Sequence, residues 1–357
     1  MTNLLLHYTP NLSLEKIRKN LSRLLVPGEI RNRHLDKNIA SLAERFHIYA
    51  TTYPYGLWAP GLAVTGEMRA VTDLYLPMAE VQNAFDCFFS LALKYTITTT
   101  LSPIHTASTW LDALQRILPC VSSSDPAALL RRLVQDESFR TAFLFTLFLP
   151  KRHGGNFCRY PGQAAFIRKW LEDRRQLHGK SLRCLDAACG TGETTYELAL
   201  LLLESGFPSG RFDVHGSTIE PLELFAAAHI YFPHDPNKQA AYQRSTQPLF
   251  TTGMSERISF FQEDIIRPAL ENKEGYDLIL CNGLLGGPFV NTHQRLTSTV
   301  TELAGRLNPG GILLAADTFH QGWKKNVPSS MLCGIFRECG LQVHDIADGI
   351  VANSITA

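Results

Sequence analysis

The chain has 357 residues, 45% of them hydrophobic, with a formal net charge of +1. That is enough apolar content for one large core or two smaller ones, and two domains are expected. A charge so nearly balanced excludes a broad cationic field for nucleic-acid phosphates, and no nucleic-acid partner is expected. Met1 to Leu12 lacks the basic, apolar and small-residue order of a secretory signal, and no apolar run is long enough to cross a bilayer. A soluble, cytoplasmic protein with no membrane partner is the expectation.

The first 150 residues read as a mostly α-helical domain. Apolar residues recur at helical intervals from Leu14 to Leu25 and from His34 to Tyr49. Gly56 to Gly66 breaks the order, and Pro77 to Tyr95 carries Met78, Val81, Phe85 and Leu91 on a wide apolar face. Thr109 to Leu118 is a short helix, and Asp125-Pro126 is an N-cap followed by proline at the first helical position. Phe139 to Leu149 is apolar on all sides and must sit between neighbours. His7, His34, His47 and His105 share no metal-ligand spacing. The eight cysteines form no C-x-x-C pair and read as small buried apolar groups, so no metal site is expected. Such a domain beside an enzyme core acts as a lid, selects the substrate or makes a homodimer, and the sequence leaves these open.

Lys151 to Gly162, with Gly154-Gly155 and Pro161, marks the junction, and an amphipathic helix runs from Gln163 to about Leu177. Leu182 to Glu193 (L-R-C-L-D-A-A-C-G-T-G-E) then reads as strand, tight loop and helix start, with a helix from Thr194 to Leu203. Glycines belong there because a backbone leaving a strand sharply needs positive φ, and a ligand can approach where no Cβ intervenes. A dinucleotide fingerprint is the rival, but it needs three glycines at wider spacing, and only Gly190 and Gly192 are present.

This segment resembles motif I of the class I S-adenosylmethionine-dependent methyltransferases. Asn156-Phe157-Cys158-Arg159-Tyr160-Pro161, the A-C-G-T-G-E loop and the sequel to Leu203 are together similar to the chemotaxis receptor (protein-glutamate) carboxyl methyltransferases. The resemblance runs from roughly Arg152 to Ala357. It implies an α/β fold for residues 151–357: a Rossmann-like, seven-stranded methyltransferase sheet with helices on both faces. It implies S-adenosyl-L-methionine as cofactor, leaving S-adenosyl-L-homocysteine. Asp186, Ala188, Gly190, Thr191, Gly192 and Glu193 would then face the methionine half of the cofactor. Arg159, with Tyr160 beside it, would contact the cofactor near the reaction, where a planar guanidinium can hold a carboxylate bidentately.

Arg211 to Ile219 is the second strand, and the resemblance gives Glu220 after it the two ribose hydroxyls. Leu222 to Tyr231 is a helix. Phe232 to Arg257 is a polar, proline-bearing insertion, compatible with a reduced form of the receptor-docking subdomain of that family. Ile258 to Ile265 is the third strand and its exit, where Asp264 would accept the adenine amino hydrogen and Ile265 would lie against the ring. Tyr276 to Asn282 is an apolar fourth strand, and open α/β sheets bind ligands beyond the carboxyl ends of their strands. Asn282, Gly283 and Leu284 fit the cofactor edge, with Asn282 also near the chemistry. The family has an R-N-V-L-I-Y-F-like segment here. This chain has Cys281 for the arginine, lacks the tyrosine, and carries Gly283, Gly286 and Gly287, which suggest a more permissive loop. Leu296 to Leu307 is a helix, Asn308-Pro309-Gly310-Gly311 turns into a fifth strand, and a helix from Met331 to Glu338 precedes strands near Leu341 and Val351. The family implies an antiparallel pairing for the last of these.

A carboxylate acceptor needs no base, whereas a phenol, amine or carbon acid would draw on His293, His320, Tyr160 or Tyr196. Three readings stand: methyl transfer to an oxygen, a carboxylate included, of a small-molecule or protein acceptor; methylation of a dedicated metabolite at nitrogen or carbon; or a non-catalytic cofactor-binding module.

Overall fold

The computed structural model describes residues 6–59, 61–96, 102–117, 123–149, 157–175, 181–267, 275–316 and 326–354. The chain divides into two units, one formed by 13–149 with 232–236 and the other by 1–12, 150–231 and 237–357. Two short segments are assigned across the 149/150 break. The first residues go with the later unit because they supply a strand to its sheet, and 232–236 joins the helical unit.

The helical unit is built from α1 (Leu14–Leu24), α2 (Arg33–Thr52), α3 (Gly66–Tyr75), α4 (Met78–Ala92), α5 (Trp110–Ile117), α6 (Pro126–Gln135) and α7 (Glu137–Phe148). Its helix starts are written in side chains that accept otherwise unpaired N–H groups. Ser13, Asn32, Thr65, Asp125 and Asp136 cap α1, α2, α3, α6 and α7. The core is aromatic: Phe85 on α4 lies 5.8 Å from Trp110 and 6.4 Å from Phe143 between ring centres. Each such ring contributes about 1.5–3 kcal/mol by leaving water. The side chain of Arg140 is buried too, and its guanidinium donates to the carbonyls of Leu133, Val134, Val26 and Gly28.

In the second unit the strands are β1 (His7–Tyr8), β2 (Leu182–Ala187), β3 (Phe212–Thr218), β4 (Ile258–Gln262), β5 (Tyr276–Asn282), β6 (Leu307–Ala316), β7 (Leu341–Ile346) and β8 (Gly349–Ser354). They form one sheet in the order β1-β4-β3-β2-β5-β6-β8-β7. β4, β3, β2, β5 and β6 run parallel, and β8 is antiparallel to both β6 and β7. Among the described residues eight strands stand where seven were expected. The extra one is β1, antiparallel to β4 through His7↔Phe261 and Tyr8↔Phe260. It covers an edge that would otherwise expose unpaired backbone groups. Tyr8 is buried, its ring 6.4 Å from Phe225 and 5.7 Å from His229.

Among the described residues, the helices of this unit are α8 (Pro161–Arg175), α9 (Glu193–Glu204), α10 (Pro221–His229), α11 (Pro236–Thr251), α12 (His293–Ala304) and α13 (Ser329–Glu338). The proline-bearing insertion is thus largely one helix, α11, followed by a short 3-10 turn at Met254–Arg257, and not a set of docking strands. Its buried residues Tyr242, Thr246 and Leu249 follow one another at helical intervals and share a face. Pro248 lies in its last turns, where it interrupts the ladder only once. Among the described residues no helix is long and apolar enough to cross a membrane.

Candidate cofactor site at the carboxyl edge of the sheet

β2 ends just past Asp186, and the chain turns from it through residues 188–192 into α9. Three residues of this turn have positive φ: Ala188 at 62°, Gly190 at 55° and Gly192 at 85°. Ala188 bears a side chain there, which costs about 1–2 kcal/mol. The turn is pinned by Cys189 N–H donating to the Ser217 carbonyl (2.8 Å) and Gly192 N–H donating to the Cys189 carbonyl (2.9 Å). The two glycines serve different needs. A Cβ on Gly192 would sit 2.9 Å from Ala227 Cβ and 3.0 Å from Phe260 Cε1, whereas a Cβ on Gly190 would meet nothing within 4 Å among the described residues. Gly192 is packed against α10 and β4, whereas among the described residues nothing stands where a Gly190 side chain would. Among the described residues no side chain caps α9, so the helix start offers N–H groups to that turn.

Carboxyl groups line the turn. Asp186, 2% exposed, accepts from Thr195 Oγ1 at 2.7 Å. Burial pushes its carboxyl up to about 7; the Thr195 bond opposes this, and Glu193 and Glu197 add to it. Glu193 accepts from Thr191 Oγ1 at 2.8 and 2.7 Å and pairs with Lys238 Nζ at 3.0 Å. Glu223 accepts from Thr218 Oγ1 at 2.8 Å, and burial raises it to about 7 despite that bond, with Glu193 raising and Lys238 lowering it. Cys189 carries a thiol raised by its burial, which suits packing and not nucleophilic attack.

The stretch bearing Arg159 is tied to this edge from several sides. Gly162 N–H, in the first turn of α8, donates to the Asp348 carboxylate in the β7–β8 turn. Gln163 and Asn282 exchange two amide hydrogen bonds, 3.1 and 2.9 Å, joining α8 to the end of β5. The Phe157 ring stands edge-on to Tyr242 of α11 at 5.0 Å. Arg159 is half-buried, with its guanidinium carbon 5.2 Å from the centre of the buried Tyr160 ring.

The remaining residues singled out from the sequence fall as follows. Glu220 caps α10, accepting from Leu222 N–H at 3.3 Å, and is 6% exposed. Asp264 accepts from Ile266 N–H at 3.0 Å, and Ile265 is buried in the apolar cluster that includes Leu185 and Ala187. Gly283 N–H donates to the Ala316 carbonyl at 2.7 Å, and Leu284 packs on the same cluster. The glycine-rich loop uses positive φ at Gly283 (78°) and Gly286 (81°) and is pinned by backbone hydrogen bonds. Gly286 N–H donates to Val290, Gly287 N–H donates to Leu284, and a Cβ on Gly287 would lie 3.1 Å from two carbonyl oxygens. Tyr196 is unsuited to act as a base, since it is fully buried and donates its hydroxyl to the Ala227 carbonyl at 2.9 Å. His293 pairs with Glu338 on the surface at 3.2 Å. His320 lies outside the described residues, as does Asn156.

Gln163, Lys238 and Tyr242 were not anticipated. Gln163 carries no local signal, because its role exists only once α8 meets β5. Lys238 and Tyr242 stand four apart on a helix, a spacing that could have been read had the insertion been recognised as helical.

Five parallel strands in this order, an antiparallel pair beyond them and a glycine turn after the central strand are the arrangement of the class I S-adenosylmethionine-dependent methyltransferase fold. Residues 155–327 match the family model described as CheR methyltransferase, SAM binding domain. Over this segment the chain is similar to CheR-type S-adenosylmethionine-binding methyltransferase domains. Among curated proteins the chain is similar to "Probable biofilm formation methyltransferase WspC" of Pseudomonas putida, 27% identical over 193 residues, covering 51% of this chain and 44% of that protein. The chain therefore spans under half the length of that relative. Among solved structures it is similar to the magnesium protoporphyrin IX methyltransferase ChlM of Synechocystis (15% identity, TM-score 0.35, covering 54% and 78% of the two chains). It is also similar to CalS10, an amino pentose methyltransferase of Micromonospora echinaspora (20% identity, TM-score 0.28, covering 44% and 50%).

Proposed function

We propose that this protein is an S-adenosylmethionine-dependent methyltransferase that acts on an oxygen, a carboxylate foremost. The observation that carries the reading is the turn after Asp186. It has open space at Gly190, a packed wall at Gly192, and the carboxyl groups of Asp186 and Glu193 beside it. These residues fit a cationic nucleoside, because among the described residues nothing stands where a Gly190 Cβ would and the Asp186 carboxyl, raised to about 7, can ionise beside a cation.

When bound, the cofactor supplies an activated methyl group with its own leaving group. This chain's residues have to hold it and bring an acceptor to it in the right orientation. In this reading Ala188, Gly190, Thr191 and Gly192 shape the cradle, Glu220 holds the sugar hydroxyls, and Asp264 and Ile265 hold the base. Asn282, Gly283 and Leu284 border it at the end of β5, and Arg159 with Tyr160 positions the acceptor. A carboxylate acceptor is already nucleophilic when ionised, so no proton has to be removed. That accords with the engagement of Tyr196 and the surface position of His293.

A second reading, a dedicated small acceptor, is favoured by α11, which occupies 236–251 as one helix where docking strands would be sought. The test is incubation of the purified protein with methyl-labelled cofactor and separated macromolecular and small-molecule cell fractions. Base-labile label supports an acceptor carboxylate; base-stable label on nitrogen or carbon rejects oxygen transfer. The fraction that takes up label decides between a macromolecule and a metabolite.

A further inference from the structure

α11 turns its buried face toward the cofactor turn. Tyr242, 2% exposed, donates its hydroxyl to the Thr191 carbonyl at 2.7 Å, and its ring stands 5.7 Å from Tyr196. One helical turn earlier, Lys238 reaches Glu193 at 3.0 Å, with the lysine side chain 20% and the glutamate 4% exposed. Thr191 closes the circuit by donating to both Glu193 oxygens. The same Tyr242 ring is met edge-on by Phe157, two residues from Arg159. One helix thereby touches the cofactor turn at two consecutive polar points and the Arg159 stretch at a third.

We propose that α11 is a brace for the cofactor turn, with Lys238 and Tyr242 as positioning residues that fix Thr191 and Glu193 and so set affinity for the cofactor. The proposal rests on the reading of 186–193 as the cofactor cradle. The physical reason is pre-organisation. A turn that already spends backbone strain at Ala188 stays in one shape only if its carbonyls and carboxylates have fixed partners. Lys238 also sets the local charge. It stands against Glu193 and bears on Glu223, so removing it leaves the turn more negative without touching a ligand.

The experiment is calorimetric titration of S-adenosylhomocysteine and S-adenosylmethionine into the full chain carrying Tyr242→Phe, Lys238→Met or Lys238→Arg, with thermal melts alongside. Tyr242→Phe should weaken S-adenosylhomocysteine binding about tenfold, the worth of one hydrogen bond to a buried carbonyl. Lys238→Met should weaken S-adenosylhomocysteine by about the same factor but the sulfonium-bearing cofactor less, because the extra negative charge attracts it. The ratio of the two affinities therefore moves, which a merely structural role would not do, and Lys238→Arg should restore it. Lys238 is partly exposed, so its variants keep the question open to measurement if Tyr242→Phe does not fold. Variants that bind both ligands as the wild type does overturn the brace and leave the cofactor reading standing. A wild type that binds neither ligand overturns the cofactor reading, and the brace falls with it.

Discussion

Gly190 and Gly192 lie two positions apart in one turn, yet adding a methyl group to each should have different consequences. Both have positive φ, so alanine at either position costs about 1–2 kcal/mol of backbone strain. At Gly192 the new Cβ also meets Ala227 and Phe260 at about 3 Å, and overpacking of that kind adds about 1–3 kcal/mol. Gly192→Ala should therefore lose about 2–5 kcal/mol of stability, and Gly190→Ala only about 1–2 kcal/mol. Ligand response should rank them the other way per unit of stability lost. Wild type at a hundredfold excess of S-adenosylhomocysteine over Kd gains about 2.7 kcal/mol. Gly190→Ala, with its methyl in the space assigned to the ligand, should gain almost none. Denaturant melts with and without the ligand read both quantities. Equal destabilisation of the two variants, or an undiminished ligand response in Gly190→Ala, would refute the division of labour drawn from the turn.

The Asp186 carboxyl, raised to about 7 by burial, binds its proton more tightly folded than unfolded. Between the unfolded value near 4 and about 7 its contribution to stability must fall as pH rises, and above that it levels off. Asp186→Asn removes this titration, so the stability of wild type relative to the variant should decline from pH 4 to 7; a rise over that window would contradict the assignment. With Glu223 similarly raised, uptake of the cationic cofactor at pH 6.5 should release protons, seen as binding heats that depend on the buffer's ionisation enthalpy. Arg159→Lys should lower methyl transfer at least tenfold through loss of the bidentate fork, measured with labelled cofactor. In the helical unit, Arg140→Met removes a buried donor shared by the Leu133, Val134, Val26 and Gly28 carbonyls, of which Val134 keeps the Ile30 N–H, and should cost about 3 kcal/mol. It should appear as an earlier denaturant transition, and an unchanged midpoint would show the buried guanidinium to be dispensable.

What was legible in the sequence was whatever local chemistry fixes. The run from Leu182 to Glu193 is read as strand, turn and helix because a buried strand, two glycines and an amphipathic stretch each obey short-range rules, and the structure has β2, the turn and α9 there. Asp125-Pro126 opens α6 for the same reason. β1 was not legible, since a two-residue strand has no periodicity and exists only by pairing with β4. α11 was obscured by Pro248 and a polar composition, although its buried residues keep a helical interval. The loop from Gly283 to Val290 misled in the other direction. Its glycines suggested freedom, which Gly283 and Gly286 use in their positive φ, whereas Gly287 is required because two carbonyl oxygens crowd the place of its side chain. The Gln163–Asn282 amide pair spans 119 positions, and no local rule reaches that far.

The central claim is that the turn after Asp186 holds a sulfonium nucleoside. Equilibrium dialysis of the purified chain against methyl-labelled S-adenosylmethionine tests it most directly. One saturable site is expected, with half-saturation between about 1 μM and 1 mM, displaced by S-adenosylhomocysteine and lost in Gly190→Ala. Retention no greater than that of an unrelated protein, or saturable retention that survives both the competitor and the substitution, would contradict it.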